Sequence, residues 1–307
     1  MSNDFLRKNR HPLYLQGMMK WMLLPLVSVL SFSNVFSQRQ HIPKGSLFII
    51  GGGSRPASMM KTMIEMAALK SGDHIVVLPM SSAEPDTSCF YIERDIKKIS
   101  LNKIACLNFT STELNKQSWL DSLRNARLIF ITGGDQNRFM KLVLNTAVHK
   151  VILEAYRNGA MIAGTSAGAA VMSKHMITGN ELNPVKSSSA AFRKIEHNNA
   201  ETAAGLGLVD SIIVDQHFIA RSRYNRLFTI LARYPHHTCI GIDEATAVII
   251  RGNKASVVGN SQVVYLSSPD QLVIKEGGLI NFRDVKLALY SNGDQFTVPG
   301  TNWVEIK

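Results

Sequence analysis

Three groups of polar side chains, each at the edge of an apolar run, could do chemistry together in this 307-residue sequence. Ser166 stands in Gly164-Thr165-Ser166-Ala167-Gly168, which fits the G-x-S-x-G nucleophile elbow. Glycines two before and two after the serine let a strand turn sharply into a helix. The hydroxyl then projects from the apex, and the N–H of Ala167 points at a developing oxyanion beside a helix N-terminus. The pentapeptide alone also fits a small-residue helix start with Ser166 as an incidental cap, so the chemistry requires a base. His217 closes the apolar run 208–214 in Asp215-Gln216-His217-Phe218, where an imidazole can reach a serine hydroxyl as general base. The other eight histidines are less well placed: His11 and His41 lie in or just beyond the N-terminal leader, and His236-His237 fall in a helix-to-strand turn. His74, His149, His175 and His197 lack polar partners at comparable spacing. Asp243 and Glu244 close the apolar run 238–242, and either carboxylate could fix the imidazole tautomer and stabilise the imidazolium.

Arg221, Arg223 and Arg226 follow His217, at the opening of a helix predicted to run from about residue 219 to Arg233. Positive charge there opposes the helix dipole. Residues 221 and 223 also diverge by about 200° on a regular helix. Convergence of the three on one anionic ligand therefore requires an irregular first turn; the alternative is a solvated basic face.

The elements that must position these residues alternate between strand and helix. Apolar strands are predicted at 46–50, 74–78, 103–107, 128–132 and 161–163, the last leading into the serine turn. Between them come helices carrying Met59, Met63, Met66 and Leu69, then helices at 90–99 and 118–123, and one long helix at 139–156. This order implies an α/β fold, a mostly parallel sheet with helices on both faces, whose sites lie at the carboxyl ends of the strands. The rule selects the turns 51–56, 133–138 and 164–168. The first, Gly51-x-Gly53-x-x-Pro56, has proline where a dinucleotide fingerprint requires glycine or alanine, and no acidic residue follows at the right distance. It reads as a glycine-lined turn at the rim of the site, and no cofactor is expected. The polar stretch 178–207 lacks periodicity and is expected to be a loop that shapes the substrate site. Short β-rich runs at 247–250, 256–258, 262–266 and 286–290 read as hairpins closing the sheet's edge.

Composition narrows the class. With 45% hydrophobic and 19% charged residues, the chain can bury a large core. Arg7, Lys8, Arg10 and Lys20 precede an apolar run from Trp21 to about Phe32, and Val35 and Ser37 suit a signal peptidase. Residues 1–37 are therefore expected to be a cleaved export signal. The run is short for a membrane span, and 38–307 would form a single domain. Loss of the leader, which also carries Asp4, leaves about +8 of the chain's +11 charge. That excess favours anionic ligands, but no basic block interleaved with aromatics supports nucleic-acid binding. The three cysteines, Cys89, Cys106 and Cys239, show no C-x-x-C: they are buried thiols, or one disulfide of unspecified pairing plus a leftover. No metal-ligand cluster is visible.

Four motifs, in order, carry a resemblance: Thr132-Gly133-Gly134-Asp135-Gln136, Gly164-Thr165-Ser166-Ala167-Gly168-Ala169, Asp215-Gln216-His217-Phe218 with its spaced arginines, and Gly241-Ile242-Asp243-Glu244-Ala245-Thr246-Ala247. Together they resemble the cyanophycinase family of serine peptidases, which has the class I glutamine amidotransferase-like fold, over about residues 45 to 270. That family hydrolyses cyanophycin, a polyaspartate with arginine amide-linked to each β-carboxyl, to β-aspartyl-arginine. The resemblance implies Ser166 as nucleophile, His217 as base and Glu244, rather than Asp243, as third member. It implies an oxyanion hole from the N–H of Ala167 and the Gly133-Gly134 turn. Substrate would be held by Gln136, Asp215, Gln216, Arg221, Arg223 and Arg226, and a homodimer is expected. One departure stands out: Ser54-Arg55-Pro56 follows the first glycine turn, where the family carries acidic residues, and Arg55 would repel a substrate guanidinium. Other aspartyl or isoaspartyl peptides are therefore the alternative substrates, and a non-catalytic exported peptide-binding relative is the alternative outside enzymes. A glutamine amidotransferase would need cysteine at the elbow, and an α/β-hydrolase orders its partners serine, acid, histidine.

Overall fold

Ser-Leu-Phe-Ile-Ile, with every residue buried, forms β1 (Ser46–Ile50), an uninterrupted apolar strand of the kind parallel sheets bury on both faces. A computed structural model describes residues 42–183 and 192–300 of the chain. The expected export signal, His41 and the centre of the expected loop lie outside these residues. After β1 come α1 (Ala57–Ala67), β2 (His74–Leu78), α2 (Pro85–Lys97), β3 (Lys103–Cys106), α3 (Gln117–Arg124) and β4 (Leu128–Ile131). The first half ends with α4 (Gln136–Val143), α5 (Ala147–Asn158), β5 (Met161–Thr165) and α6 (Ala167–Ala170). The second half holds β6 (His175–Glu181), β7 (Ala200–Ala204), β8 (Ile212–Asp215), α7 (Tyr224–Arg233) and β9 (Thr238–Ile242). It continues through β10 (Thr246–Arg251), β11 (Lys254–Gly259), β12 (Val263–Ser267), β13 (Asp270–Ile274), β14 (Ile280–Arg283), β15 (Lys286–Tyr290) and β16 (Gln295–Thr297).

The main sheet runs β16-β11-β10-β1-β5-β4-β2-β3. Its five strands from β1 to β3 are parallel, and β10, β11 and β16 extend it antiparallel. The period-2 alternation of side chains separates two cores. Leu47 and Ile49 face one layer with Leu123 of α3 and Ile152 of α5, while Phe48 and Ile50 face another with Met59 and Met63 of α1 and Ile92 and Ile96 of α2. The α/β class with helices on both faces is thus the one the sequence implies.

Four local expectations need correction. The segment 139–156 is two helices, because Asn145 takes a left-handed φ of 61° and Thr146 caps α5 by accepting the His149 N–H. The stretch 178–207 is not wholly a loop, since β6 and β7 pair as antiparallel arms at its two ends. The C-terminal hairpins do not all close one edge: β12 and β15 join β9 and β8 in a second sheet, ordered β15-β12-β9-β8. One face of this second sheet, with Val214, Ile240 and Ile242, packs into the first core, and the other, with Ile213 and Val264, packs under α7. Finally, the helix after His217 begins at Tyr224, not near residue 219.

Cys89 of α2 and Cys106 of β3 form a disulfide across 6.2 Å between Cα atoms, and Cys239 remains a buried free thiol. Among the described residues no helix is long and apolar enough to cross a membrane.

The tips of β5, β8 and β9 converge on the end of β1 through its backbone. The carbonyl of Ile50 accepts from the Ser166 N–H at 3.0 Å, that of Gly51 from the His217 N–H at 2.7 Å, and that of Gly52 from the Ala245 N–H at 2.9 Å. Such close approach excludes side chains on the glycines. A Cβ on Gly51 would fall 2.1 Å from the Asp243 carbonyl oxygen, on Gly52 2.3 Å from the His217 ring, and on Gly53 2.8 Å from the Glu244 carboxylate. Gly52 also has a φ of 116°, which L side chains rarely adopt.

Two predictions follow from this packing. Gly52→Ala is expected to lower the unfolding free energy by about 2–4 kcal/mol in chemical denaturation, through strain and overpacking together; a loss under about 0.5 kcal/mol would contradict the contact. Thiol titration of the denatured protein is expected to find one reactive cysteine before reduction and three after it, given one disulfide and one free thiol. Three before reduction would refute the bridge.

Candidate active site

β5 delivers Ser166 at the apex of a turn with φ 54° and ψ −112°, a conformation that costs a non-glycine residue about 1–3 kcal/mol. The flanking glycines are needed for backbone packing. A Cβ on Gly164 would lie 2.3 Å from the Gly168 carbonyl oxygen, and one on Gly168 2.2 Å from that of Ile131. The following helix, α6, has only four residues, too short for the macrodipole that the motif suggested. What the turn offers instead is unspent donors: the N–H groups of Ala167 and Gly133 have no acceptor among the described residues. Gly133 borders the serine, its Cβ position lying 3.3 Å from Ser166 Cβ, whereas Gly134 turns against the Ser81 backbone.

Ser166 Oγ lies 2.8 Å from His217 Nε2, and His217 Nδ1 lies 2.6 Å from Glu244 Oε1. An ionised Glu244 can only accept, so Nδ1 carries the proton of the neutral ring and Nε2 is left to accept from the serine hydroxyl. His217 is 8% exposed, and its own backbone is left-handed, with φ 48°. Burial pushes its pKa below the ordinary imidazole value. The hydrogen bond to Glu244 opposes that shift, and the charges of Arg221 and Arg223 reinforce it. The imidazole is therefore held neutral, as a base must be.

The two candidate carboxylates have separate tasks. Glu244 meets the imidazole. Asp243 is buried and accepts from the N–H groups of Ile219 and Ala220 at 3.0 and 2.9 Å and from the Ser261 hydroxyl at 2.6 Å, which pins the turn after His217. Burial alone would raise the Asp243 pKa, but the Ser261 hydroxyl and the backbone donors outweigh it and hold the carboxyl below its usual range.

The six residues expected to hold substrate mostly hold one another. Arg226 Nε donates to Asp215 Oδ2 at 2.8 Å, and its Nη2 bonds Oδ1, a buried bidentate pair. Arg223 Nη1 donates to the Gln216 carbonyl at 2.6 Å and to the Gln216 side chain, and lies 3.5 Å from Asp215. Burial, with the charge of Arg226 next, pushes the Arg223 pKa down to about 10. Gln136 Nε2 donates to the Thr178 carbonyl at 2.6 Å. Arg221 alone of the three arginines is exposed. The irregular turn that convergence required is present, since residues 217–223 are non-helical and Ser222 has a φ of 50°.

Ser166 and His217 open onto a cleft of about 290 Å³ walled by the Gly53–Arg55 turn, by Thr132, Gly133 and Thr165, and by Ser88, Tyr91 and Ile92 of α2. The six residues above stand outside this lining. The α2 wall escaped sequence reasoning, because the helix reads as an ordinary amphipathic one. The available signal was a pair of adjacent aromatics, Phe90 and Tyr91, both exposed. No group of three histidine, cysteine, aspartate or glutamate side chains among the described residues could hold a metal ion.

Comparison with known proteins identifies the family of the chain. The profile of peptidase family S51 matches residues 47–258. A cyanophycinase of a Nostoc species is 30% identical over 264 residues, covering 82% of this chain and 85% of its own. That of Trichormus variabilis shows the same identity and coverage. Among solved structures, a peptidase from an acI-B1 Actinobacterium superposes with a TM-score of 0.61 at 20% identity, covering 84% of this chain and 98% of its own, a likeness of fold. The chain therefore belongs to peptidase family S51, the cyanophycinase family, and is a serine-type peptidase.

Proposed function

We propose that this protein is an exported serine exopeptidase that hydrolyses cyanophycin, or a closely similar polymer, to β-aspartyl-arginine. The hydrogen-bonded chain from Ser166 through His217 to Glu244 carries the reading. His217 Nε2 takes the proton of Ser166 as Oγ attacks the carbonyl carbon of an aspartyl backbone amide. The resulting oxyanion is met by the N–H of Ala167 and by the Gly133-Gly134 turn. His217 then gives its proton to the leaving nitrogen, the C–N bond breaks, and water resolves the acyl-enzyme by the same relay. Glu244 keeps the imidazole in the productive tautomer and stabilises the imidazolium.

The arginine-rich turn supports a substrate rich in carboxylates. Arg221 is the exposed cation nearest His217 in sequence, while the Asp215–Arg226 and Gln216–Arg223 pairs brace the turn on which it stands. Export is supported by the basic and apolar leader and by the Cys89–Cys106 disulfide, since such bonds persist in oxidising compartments. The relatives named cyanophycinases support cyanophycin as the polymer.

Three outcomes are expected. Ser166→Ala should lower turnover of cyanophycin by about 10⁶-fold with the fold intact, leaving a residue about 10³-fold above water; a rate within about tenfold of the parent protein would end the assignment. Because His217 must be neutral to act as base and burial lowers its pKa, kcat/KM should rise with pH through a midpoint below 6.5, and a midpoint above 6.5 would contradict that environment. Incubation with cyanophycin and, separately, with isoaspartyl dipeptides should release β-aspartyl-arginine from the polymer, read by mass. Cleavage of the dipeptides with the polymer intact would transfer the reading to isoaspartyl peptides.

A further inference from the structure

Arg55 follows the glycine turn, and its side chain forms part of the wall of the cleft that holds Ser166 and His217. Its Nη2 donates to Asp95 Oδ2 of α2 at 3.1 Å, and the side chain is 19% exposed. Asp95 does not neutralise it. The same carboxylate is shared with Arg94 at 3.0 Å and Lys98 at 3.7 Å, so one negative charge faces three positive ones. Burial alone would raise the Asp95 pKa, but hydrogen bonds from Arg94 and Arg55 and their charges hold it below the usual range, so Asp95 stays ionised as the fixed support. Arg55 Nε is buried and has no acceptor among the described residues. A guanidinium carries five N–H donors in a planar fork, and a buried donor without a partner is costly unless a ligand or water meets it.

We propose that Arg55 is a specificity-determining residue whose guanidinium binds a carboxylate next to the scissile amide. The inference rests on the peptidase reading of the cleft and deepens it by naming what the substrate must present. Asp95 anchors Nη2 and leaves Nε without an acceptor among the described residues, and a planar guanidinium of this kind suits a carboxylate. It would also drive a substrate guanidinium away from this wall. β-Aspartyl-arginine carries two carboxylates that could meet it, one on each residue.

The test measures binding and so does not depend on turnover. In the Ser166→Ala protein, calorimetry compares β-aspartyl-arginine with its two mono-carboxamides, with Arg55 present and with Arg55→Gln added. One carboxamide is expected to bind about tenfold or more weaker than the diacid when Arg55 is present. Arg55→Gln should weaken the diacid to a similar degree and remove the difference, and Arg55→Lys should restore it in part. Arg94 and Lys98 still hold Asp95 in these variants, and an unchanged melting temperature checks that the wall stays folded. Equal affinities for all three ligands, no measurable binding of the diacid, or a uniform loss in Arg55→Gln would overturn the proposal. If the parent protein hydrolyses none of these polymers or peptides while the selectivity survives, the peptidase reading falls and the carboxylate site stands.

Discussion

Three successive carbonyls at the end of β1, those of Ile50, Gly51 and Gly52, each receive a backbone N–H from a different strand tip. Ser166 docks on the first, His217 on the second and Ala245, next to Glu244, on the third. All three donor residues have positive φ, at 54°, 48° and 53°, a conformation that L residues avoid unless their surroundings impose it. Backbone hydrogen bonds inside a packed sheet supply that imposition. The serine, the imidazole and the carboxylate are thus placed by main-chain geometry, and side-chain rotation has little left to decide. The arrangement works only because residues 51 to 53 are glycines, over which the His217 ring and the Glu244 carboxylate lie at distances a Cβ would occupy.

Around this frame the charges divide into two classes. Asp215 and Arg226 form a buried ion pair in the interior, where an unpaired charge would be strongly disfavoured, and half-buried Arg223 donates to Gln216 beside them. Arg221 is exposed, and Arg55, in the wall of the cleft, has an Nε without an acceptor among the described residues. The net result is a site in which burial and nearby positive charge press the His217 imidazole toward its neutral form, and the same positive charge favours anions.

Much of this was legible in the sequence. The alternating apolar runs fix the α/β class, and each candidate catalytic residue stands directly at the end of a run, which is what the strand-tip rule requires. Other features depend on pairing that no local pattern carries. Nothing in Thr238–Ile242 or 208–214 says that these strands form a second sheet with β12 and β15. The break at Asn145 carries only the local signal Asn-Thr ahead of a helix, within otherwise continuous apolar spacing. The need for glycine at 51–53 comes from residues about 160 to 190 positions later in the chain, which no local pattern carries. A sequence does not reveal which charges pair with each other, so the contacts of Asp215 with Arg226 and of Gln216 with Arg223 are visible only in the structure. The α2 wall has no local signature for the related reason that a helix face has meaning only once its neighbour is known.

The central claim is that Ser166, His217 and Glu244 act as one relay, and the most direct measurement is the rate at which a fluorophosphonate probe labels the protein. Labelling is expected at Ser166 alone, and His217→Ala should slow it by about 10³-fold or more, with Glu244→Gln intermediate. Labelling of His217→Ala at the parent rate, or modification elsewhere with Ser166 untouched, would contradict the account.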